Sequence, residues 1–393
     1  MRWISHFGFN HNPFDDTPPG RLDLRMFAGR DGEISFAQRE MGDGGTYLFI
    51  EGRPGIGKTS LGNYLRFEKA NRGICVTPDI EINGLGNPHG IHCGAITLLS
   101  AVKALEKGAA DTGRRLTGIK DYRRIKRAAL SMANWFHKHS AEILSDNAST
   151  RYHRFPLSTG ETGDLLCLCA DTSVLMGFKG GMVIQMRVGE NTRAVSVLIK
   201  SLPSNDHITW ILNGPPASGR YVARRFEKVS WLDLAPLRSS IVRFIVSKRL
   251  DLCSPHPLKK PPLSYRIPDY LHRVTDGDLS YAFHTCAKLL QLMSQDGLLD
   301  YLTLKQALGT IKRLAGEEIR RYSPTPLAVS ILKRMSHKEF MSTGGLTHAI
   351  KKKQTSVSRA LSELRRKGLA SYHILGRHHL YSASSAAKVA YRE

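Results

Sequence analysis

The 393-residue chain has no apolar run near the 18 or so residues that a membrane-spanning helix needs. Its most apolar region, Leu165 to Met186, is interrupted by Asp171 and Lys179. The N-terminal stretch MRWISHFGFNHNPF holds neither the apolar centre nor the cleavage pattern of a secretory signal. A cytoplasmic address without a membrane partner is the expectation. Cysteine is scarce, with six residues and no CxxC pair, and the 16 histidines form no metal motif with them. A zinc-built scaffold is therefore not expected. Cys75, Cys93, Cys167, Cys169, Cys253 and Cys286 are expected as reduced, mostly buried apolar residues. Acid is scarce too: 34 Asp and Glu against 57 Lys and Arg leave a net charge of +23. Between Arg321 and Glu393 stand 14 basic and 3 acidic residues, so nearly half of that excess lies in the last fifth of the chain. Such a field favours a polyanionic partner, nucleic acid first, although a solvated basic surface has the same composition.

Against these absences one stretch stands out. Tyr47 to Leu65 reads YLFIEGRPGIGKTSLGNYL. Tyr47, Leu48, Phe49 and Ile50 form the continuous apolar run of a buried parallel strand. Gly52-Arg53-Pro54-Gly55-Ile56-Gly57-Lys58-Thr59 follows, and Leu61, Tyr64 and Leu65 then take up helical spacing. This is the phosphate-binding P-loop pattern in its strand–loop–helix setting. Glycines let backbone N–H groups turn inward around phosphates, and the helix N-terminus adds partial positive charge. In that pattern Lys58 reaches the β- and γ-phosphates, and the Thr59 hydroxyl ligates Mg²⁺. ATP with Mg²⁺ is the expected ligand. Its contacts are Gly52, Pro54, Gly55, Ile56, Gly57, Lys58, Thr59 and Ser60.

The remaining elements are read more coarsely. Gly73 to Ile82 reads as a second strand, in which Pro78 demands an edge or end position. A helix is expected from about Gly94 to Lys107. Arg114 to Arg127 is a basic insertion, suited to DNA, to a neighbouring subunit or to plain solvation. Gly181 to Val188 is favoured as the strand that should end in a magnesium-shell aspartate. Met186 or Arg187 stands where that aspartate belongs, and Glu190 is the nearest acid behind it. Leu165 to Asp171 is the rival strand, though Leu165 to Met176 also fits a helix. Ile208 to Gly214 is another apolar strand, ending in Asn213-Gly214, whose asparagine either holds an attacking water or simply caps the strand. Trp231 to Leu237 leads into a helix from Ser239 to Leu250. Five prolines between Cys253 and Pro268 preclude regular structure there. Helices are expected near Tyr270–Arg273, Leu279–Met293 and Leu304–Leu314.

After Ser323-Pro324-Thr325-Pro326, helices fit Leu327–His337, Gly344–Ile350 and Thr355–Lys367, the last capped by Thr355 or Ser356. Val357, Leu361 and Leu364 fall on one face of the third helix. Ser358, Arg359, Ser362, Arg365 and Arg366 fall on the other. Two strands, Ala370–Leu375 and His378–Ser382, flank Gly376-Arg377. This is a helix-turn-helix with a wing, whose third helix enters the major groove and whose wing meets the backbone. The expected DNA contacts are Lys351, Lys352, Lys353, Ser358, Arg359, Ser362, Arg365 and Arg377. A winged helix that binds protein is the alternative. Val357 to Leu364 with Gly368-Leu369 also resembles winged-helix regulators.

Several of these stretches together resemble the origin-recognition type of AAA+ initiator ATPases. They are Gly29-Arg30, the P-loop, the Asn213 strand, Trp231 to Leu237, and Asp276 to Ala282. The resemblance implies an α/β fold: a P-loop AAA+ parallel-sheet core (1–237), a helical lid (238–322) and a winged helix-turn-helix domain (323–393). It places Arg30 over the adenine, gives Asn213 the water-holding role and Glu190 that of polarising the water. It also lets Arg224 or Arg225 reach a neighbour's γ-phosphate, and so implies self-association or another AAA+ subunit. Ser280 stands where the family has a phosphate-sensing arginine. With the aspartate and that arginine both missing, the resemblance implies a DNA-binding ATP switch with weak or partner-dependent hydrolysis. STAND-type signalling ATPases, which also join such a core to winged helices, are the other family it resembles.

Overall fold

The apolar segment ahead of the glycine-rich loop is strand β1 (Tyr47–Glu51), whose first four residues are at most 3% exposed. A strand covered on both faces has no place for a polar alternate, which explains the unbroken apolar run. The computed structural model describes residues 2–20, 23–42, 44–81, 90–143, 157–188, 202–215, 229–256, 260–296, 301–375 and 378–392. They fall into two units. One comprises Arg30–Gly52 and Lys58–Leu234, the other Met1–Gly29, Arg53–Gly57 and Ala235–Glu393.

The first unit is built on a parallel sheet. Beside β1 it contains β2 (Cys75–Val76), β3 (Ile80–Glu81), β4 (Met182–Arg187), β5 (Ile208–Gly214) and β6 (Val229–Asp233). The strand order is β2-β4-β5-β1-β6, with β3 also paired to β4. The strand carrying Asn213 therefore lies between the P-loop strand and the one ending in Arg187. Pro78 sits in the break between β2 and β3 at the sheet edge, where a residue without an N–H is tolerated. Around the sheet stand α2 (Asp31–Met41), α3 (Lys58–Asn71), α4 (Gly90–Thr112), α5 (Lys120–Ile143) and α6 (Thr159–Leu175). The rival strand at Leu165 is thus a helix, started by a capping box in which Ser158 and Glu161 bond each other's backbone N–H. Met182, Ile184, Met186 and Trp210 share one core with Leu98, Leu105, Ile125 and Leu166 of α4, α5 and α6. On the opposite face α3 lies against β4 and β5, where a Cβ on Gly62 would stand 2.8 Å from Gln185 Nε2 and 3.0 Å from Asn213 Nδ2. This is the P-loop α/β core that the AAA+ resemblance implies. Trp231 to Leu237 leads into a helix from Ser239, as expected, and the start of that segment is also strand β6, which pairs with β1 and was not foreseen.

In the second unit, α1 (Arg2–His6) accompanies α7 (Ser239–Cys253), α8 (Arg266–Val274), α9 (Leu279–Asp296) and α10 (Leu304–Arg320). Trp3, Phe9 and Phe14 are buried in one cluster with Ile245, Leu271, Phe283 and Leu290, so the first residues of the chain pack with these helices. Arg249 fixes that packing by donating to the Asp15 carbonyl at 2.7 Å. Then come α11 (Pro326–Ser336), β7 (Met341–Ser342), α12 (Thr343–Ile350), α13 (Gln354–Arg366), β8 (Ala370–Leu375) and β9 (His378–Ala383). The strands form an antiparallel sheet in the order β7-β9-β8. The module thus runs helix, strand, two helices and a hairpin, with the three helices and the hairpin in the order expected of this segment. Val357, Leu361 and Leu364 are 0%, 0% and 1% exposed, as their spacing requires. The cap of α13 is corrected: Lys353 stands at the N-cap without a side-chain bond, and Thr355 and Ser356 lie inside the first turn.

The sequence reading did not foresee the last helix, α14 (Ser385–Tyr391), started by the Ser384 hydroxyl. Val389 enters the core of α7 to α10 while Ala386 and Ala387 enter the core of the C-terminal module, so one short helix closes both. Its charges fasten the turn after α8. Lys388 Nζ lies 3.1 Å from Asp276, and Arg392 donates to the same carboxylate at 2.8 Å. Cys75, Cys169, Cys253 and Cys286 are free and buried, and burial pushes the Cys75 thiol up to about 12.

Burial by itself raises the Asp276 pKa, but the Arg392 hydrogen bond and the Lys388 charge outweigh it and hold the carboxyl below its ordinary value. A group with a depressed native pKa stabilises above its unfolded pKa of about 3.9, and that stabilisation is lost as pH falls through the native value. Asp276→Asn is therefore expected to lower the denaturation midpoint at pH 7. Asparagine tolerates the left-handed backbone of Asp276 (φ 57°), which keeps this a test of charge. The gap to wild type should close as the pH is taken well below that of an ordinary aspartate. A gap that persists in strong acid contradicts the ion-pair account.

Candidate functional site

The glycine-rich loop leaves β1 at Glu51, whose carbonyl accepts from Leu234 N–H at 2.8 Å, and Gly52 N–H donates to the Gly214 carbonyl at 3.3 Å. Gly55 and Gly57 have φ of 72° and 98°, values that glycine adopts without strain. Ile56 between them is 3% exposed and anchors the loop. Helix α3 begins at Lys58, so Lys58, Thr59 and Ser60 form the first turn, whose N–H groups have no acceptor within the helix. Lys58 Nζ donates to the Gly52 carbonyl at 2.7 Å, which holds the ammonium at the start of its own loop. A Cβ at Gly57 would meet nothing within 4 Å, so the backbone there is open to a ligand. An anion-accepting helix N-terminus, two left-handed glycines and a lysine fit the phosphates of a nucleotide.

The metal half of the site fits less well. Arg187 lies in register with Asn213, which pairs in turn with Ile50 of β1. Met186, the other residue at the expected aspartate position, is 0% exposed and belongs to the core with α4 and α6. The strand end therefore presents Arg187, whose Nε lies 2.8 Å from the Asp79 carboxylate. Sequence reasoning missed Asp79, although its place after Pro78 at the strand break was visible. Thr59, the metal-binding residue expected, stands in the first turn of α3, and the end of β4 carries a cation.

Asn213 is 2% and Gln185 is 0% exposed. Neither amide has a hydrogen-bond partner among the described groups, and both approach Gly62 on α3. Gln185 was not singled out in the sequence, since a lone polar residue in an apolar strand carries no motif. Arg30, expected at the adenine, is 4% exposed at the N-cap of α2 and pairs with Glu33 at 2.6 Å. Glu190, Arg224, Arg225 and Arg377 lie outside the described residues. In the basic insertion, Arg123, Arg124, Lys126 and Arg127 are exposed on α5, with Lys126 3.1 Å from Glu106.

On the C-terminal module, Arg359, Ser362, Arg365 and Arg366 are exposed along α13 and Ser358 is half-buried. The Ser362 hydroxyl donates to the Ser358 carbonyl at 3.0 Å. Lys351, Lys352 and Lys353 are exposed in the turn before α13, with Lys351 in the left-handed conformation (φ 54°) that ends α12. The Arg365 guanidinium lies 4.9 Å from the centre of the Tyr372 ring on β8, and Tyr372 packs against Tyr381 and His379 of β9. These aromatic residues on the hairpin were missed because their cross-strand pairing is set by the register, not by spacing.

The chain has a P-loop α/β core. No protein-family model matches it, and no curated protein matches it. Solved structures that resemble it include the Aeropyrum pernix Orc1 protein in complex with DNA, at 12% identity and a TM-score of 0.47, covering 96% of this chain and 93% of that one. Drosophila ORC bound to DNA is similar at 12% identity and a TM-score of 0.39, covering 99% and 90%. The Thermotoga maritima RuvB Holliday junction branch migration motor is similar at 12% identity and a TM-score of 0.41, covering 94% and 96%. Among the described residues no helix is long and apolar enough to cross a membrane, and no group of three metal-ligating side chains gathers.

The buried amides provide a prediction. An amide without a protein partner costs stability when buried, about 1–3 kcal/mol on mutational scales. Gln185→Met, nearly the same in volume, is expected to keep or raise the unfolding free energy in a urea titration. A clear loss of stability shows instead that the amide is bonded in solution.

Proposed function

We propose that the chain is an AAA+-type, ATP-binding and DNA-binding switch with weak intrinsic hydrolysis. The observation that carries this reading is the glycine loop between β1 and α3, with Lys58 and Thr59 in the first turn of the helix. Backbone N–H groups and Lys58 would hold the phosphates, and the Thr59 hydroxyl would hold a magnesium ion arriving with them. When bound, the ion would supply charge neutralisation at the phosphates. Hydrolysis further requires a strand-end acid and a cation over the γ-phosphate. Arg187, paired with Asp79, supports reading the first as lost, and Ser280 supports the same for the second. Asn213 and Glu190 remain the residues proposed to hold and polarise an attacking water, with Arg30 near the base.

The DNA half of the reading rests on the exposed cations of α13 and of the turn before it. Lys351, Lys352 and Lys353 suit phosphates, whereas Arg359 and Ser362 stand on the helix face that would meet base edges. Arg365, stacked on Tyr372, is held toward the hairpin, and Arg377 is proposed at the hairpin tip. Residues 1–237, 238–322 and 323–393 are proposed as the core, lid and DNA-binding parts, and self-association as the source of any arginine that completes the site.

Two measurements test the halves separately. Lys58→Ala is expected to weaken ATP binding about 10- to 100-fold by calorimetry, the worth of a charge-assisted bond to phosphate. Basal turnover is expected below about 1 s⁻¹, under the range of competent phosphoryl-transfer enzymes. Equal affinity in variant and wild type removes the nucleotide reading. In the full chain, Arg359→Ala should cost about 1–3 kcal/mol on a preferred duplex and much less on random DNA. Lys352→Ala should weaken all duplexes alike and lower the salt slope by about one. No binding to duplex DNA at low salt assigns the C-terminal module to protein contacts.

A further inference from the structure

The C-terminal module holds the side chain of Arg53, the second residue of the glycine-rich loop. Its guanidinium pairs with the Glu339 carboxylate and lies 5.4 Å from the centre of the Phe340 ring. It also donates to the Asp276 carbonyl at 3.5 Å. Glu339 and Phe340 belong to the turn between α11 and β7, and Phe340 stands edge-on to His373 of β8 with ring centres 5.0 Å apart. Two residues beyond Arg53, the Gly55 carbonyl accepts from Leu279 N–H at 3.2 Å and Ser280 N–H at 3.4 Å, in the first turn of α9. A Cβ on Gly55 would collide with the Asp278 carboxylate. That carboxylate is fixed in turn by the Ser385 hydroxyl at 2.5 Å and Tyr281 N–H at 2.9 Å. The loop segment Arg53–Gly57 is thus gripped twice within its unit, and each grip sets a carboxylate beside it.

A loop that receives phosphates gains from nearby cations and loses from nearby anions. Arginine is a bidentate ligand for phosphate as much as for carboxylate, so a carboxylate paired to the guanidinium competes with phosphate for its charge and its donors. While Glu339 holds Arg53, the loop has its cation neutralised and a carboxylate next to it. Resting on the nucleotide-binding reading, we propose that Arg53 and Glu339 form an autoinhibitory latch, by which the C-terminal module lowers the affinity of the loop for a nucleoside triphosphate. Glu339 acts through Arg53 and is a positioning residue. Phe340 keeps the guanidinium oriented by stacking beneath it.

The test is a titration of the full chain with N-methylanthraniloyl-ATP, followed by fluorescence, at low and moderate salt. Glu339 is 54% exposed, so Glu339→Gln removes the charge without threatening the fold. The variant is expected to bind the probe about two- to fivefold tighter at low salt, the scale of an exposed ion pair. The gain should shrink as ionic strength rises. In an Arg53→Ala background the same substitution should give a clearly smaller gain, because the pair it breaks is already gone. Affinity that is unchanged or weaker in Glu339→Gln overturns the latch while leaving the nucleotide site standing, as does an equal gain in the Arg53→Ala background. No binding by wild type or variant overturns both.

Discussion

A loop that wraps phosphate must turn its own N–H groups inward, and that backbone conformation must be held before the ligand arrives. Here β1 holds the start, paired on one side to β5 and on the other to β6, while α3 fixes the end with its first turn at Lys58. The apolar run Tyr47 to Ile50 secures the strand, and glycine at 55 and 57 permits the turns between. Most of the sheet serves this placement. Strand β5 lies next to the P-loop strand and brings Asn213 toward α3, while β4 beyond it delivers Gln185 and Arg187 on the same face.

Electrostatics then decide what the loop can do once phosphates arrive. At the end of β4, Arg187 pairs with Asp79, and a cation in that place does not attract a metal ion. In the second unit basic residues outnumber acids, and several acids pair internally: Asp276 with Lys388 and Arg392, Glu363 with Lys367, Glu339 with Arg53. Lys351, Lys352, Lys353, Arg359 and Arg365 are exposed on α13 and the turn before it.

Much of this was legible in the sequence where the signal is local. The strand–loop–helix of residues 47–65 follows from an apolar run and glycine spacing. The face of α13 follows from period alone, with Val357, Leu361 and Leu364 buried and Arg359, Ser362, Arg365 and Arg366 exposed. The favoured strand at 181–188 is β4 and its rival at 165–171 is a helix, whose Ser158 cap was not singled out in the sequence. What was not legible depends on contacts between distant segments. Asp79 meets Arg187 only because β3 pairs with β4, Trp3 and Phe14 find their core some 240 residues later, and Glu339 reaches Arg53 across 286 positions. Helix α14 was missed because its small apolar face, Ala386, Ala387 and Val389, is unremarkable until the cores it closes are known. Glu190 and Arg377 fall outside the described residues.

On the proposed reading, the affinity of this chain for nucleotide resides in the loop's hold on phosphate. The direct measurement compares ATP with adenosine in equilibrium titrations of the wild-type chain under identical conditions. A phosphate-holding loop predicts that ATP binds more than about tenfold tighter than the nucleoside, since charge-assisted bonds to the phosphates supply most of the free energy. Equal affinities, or tighter binding of adenosine, contradict the account.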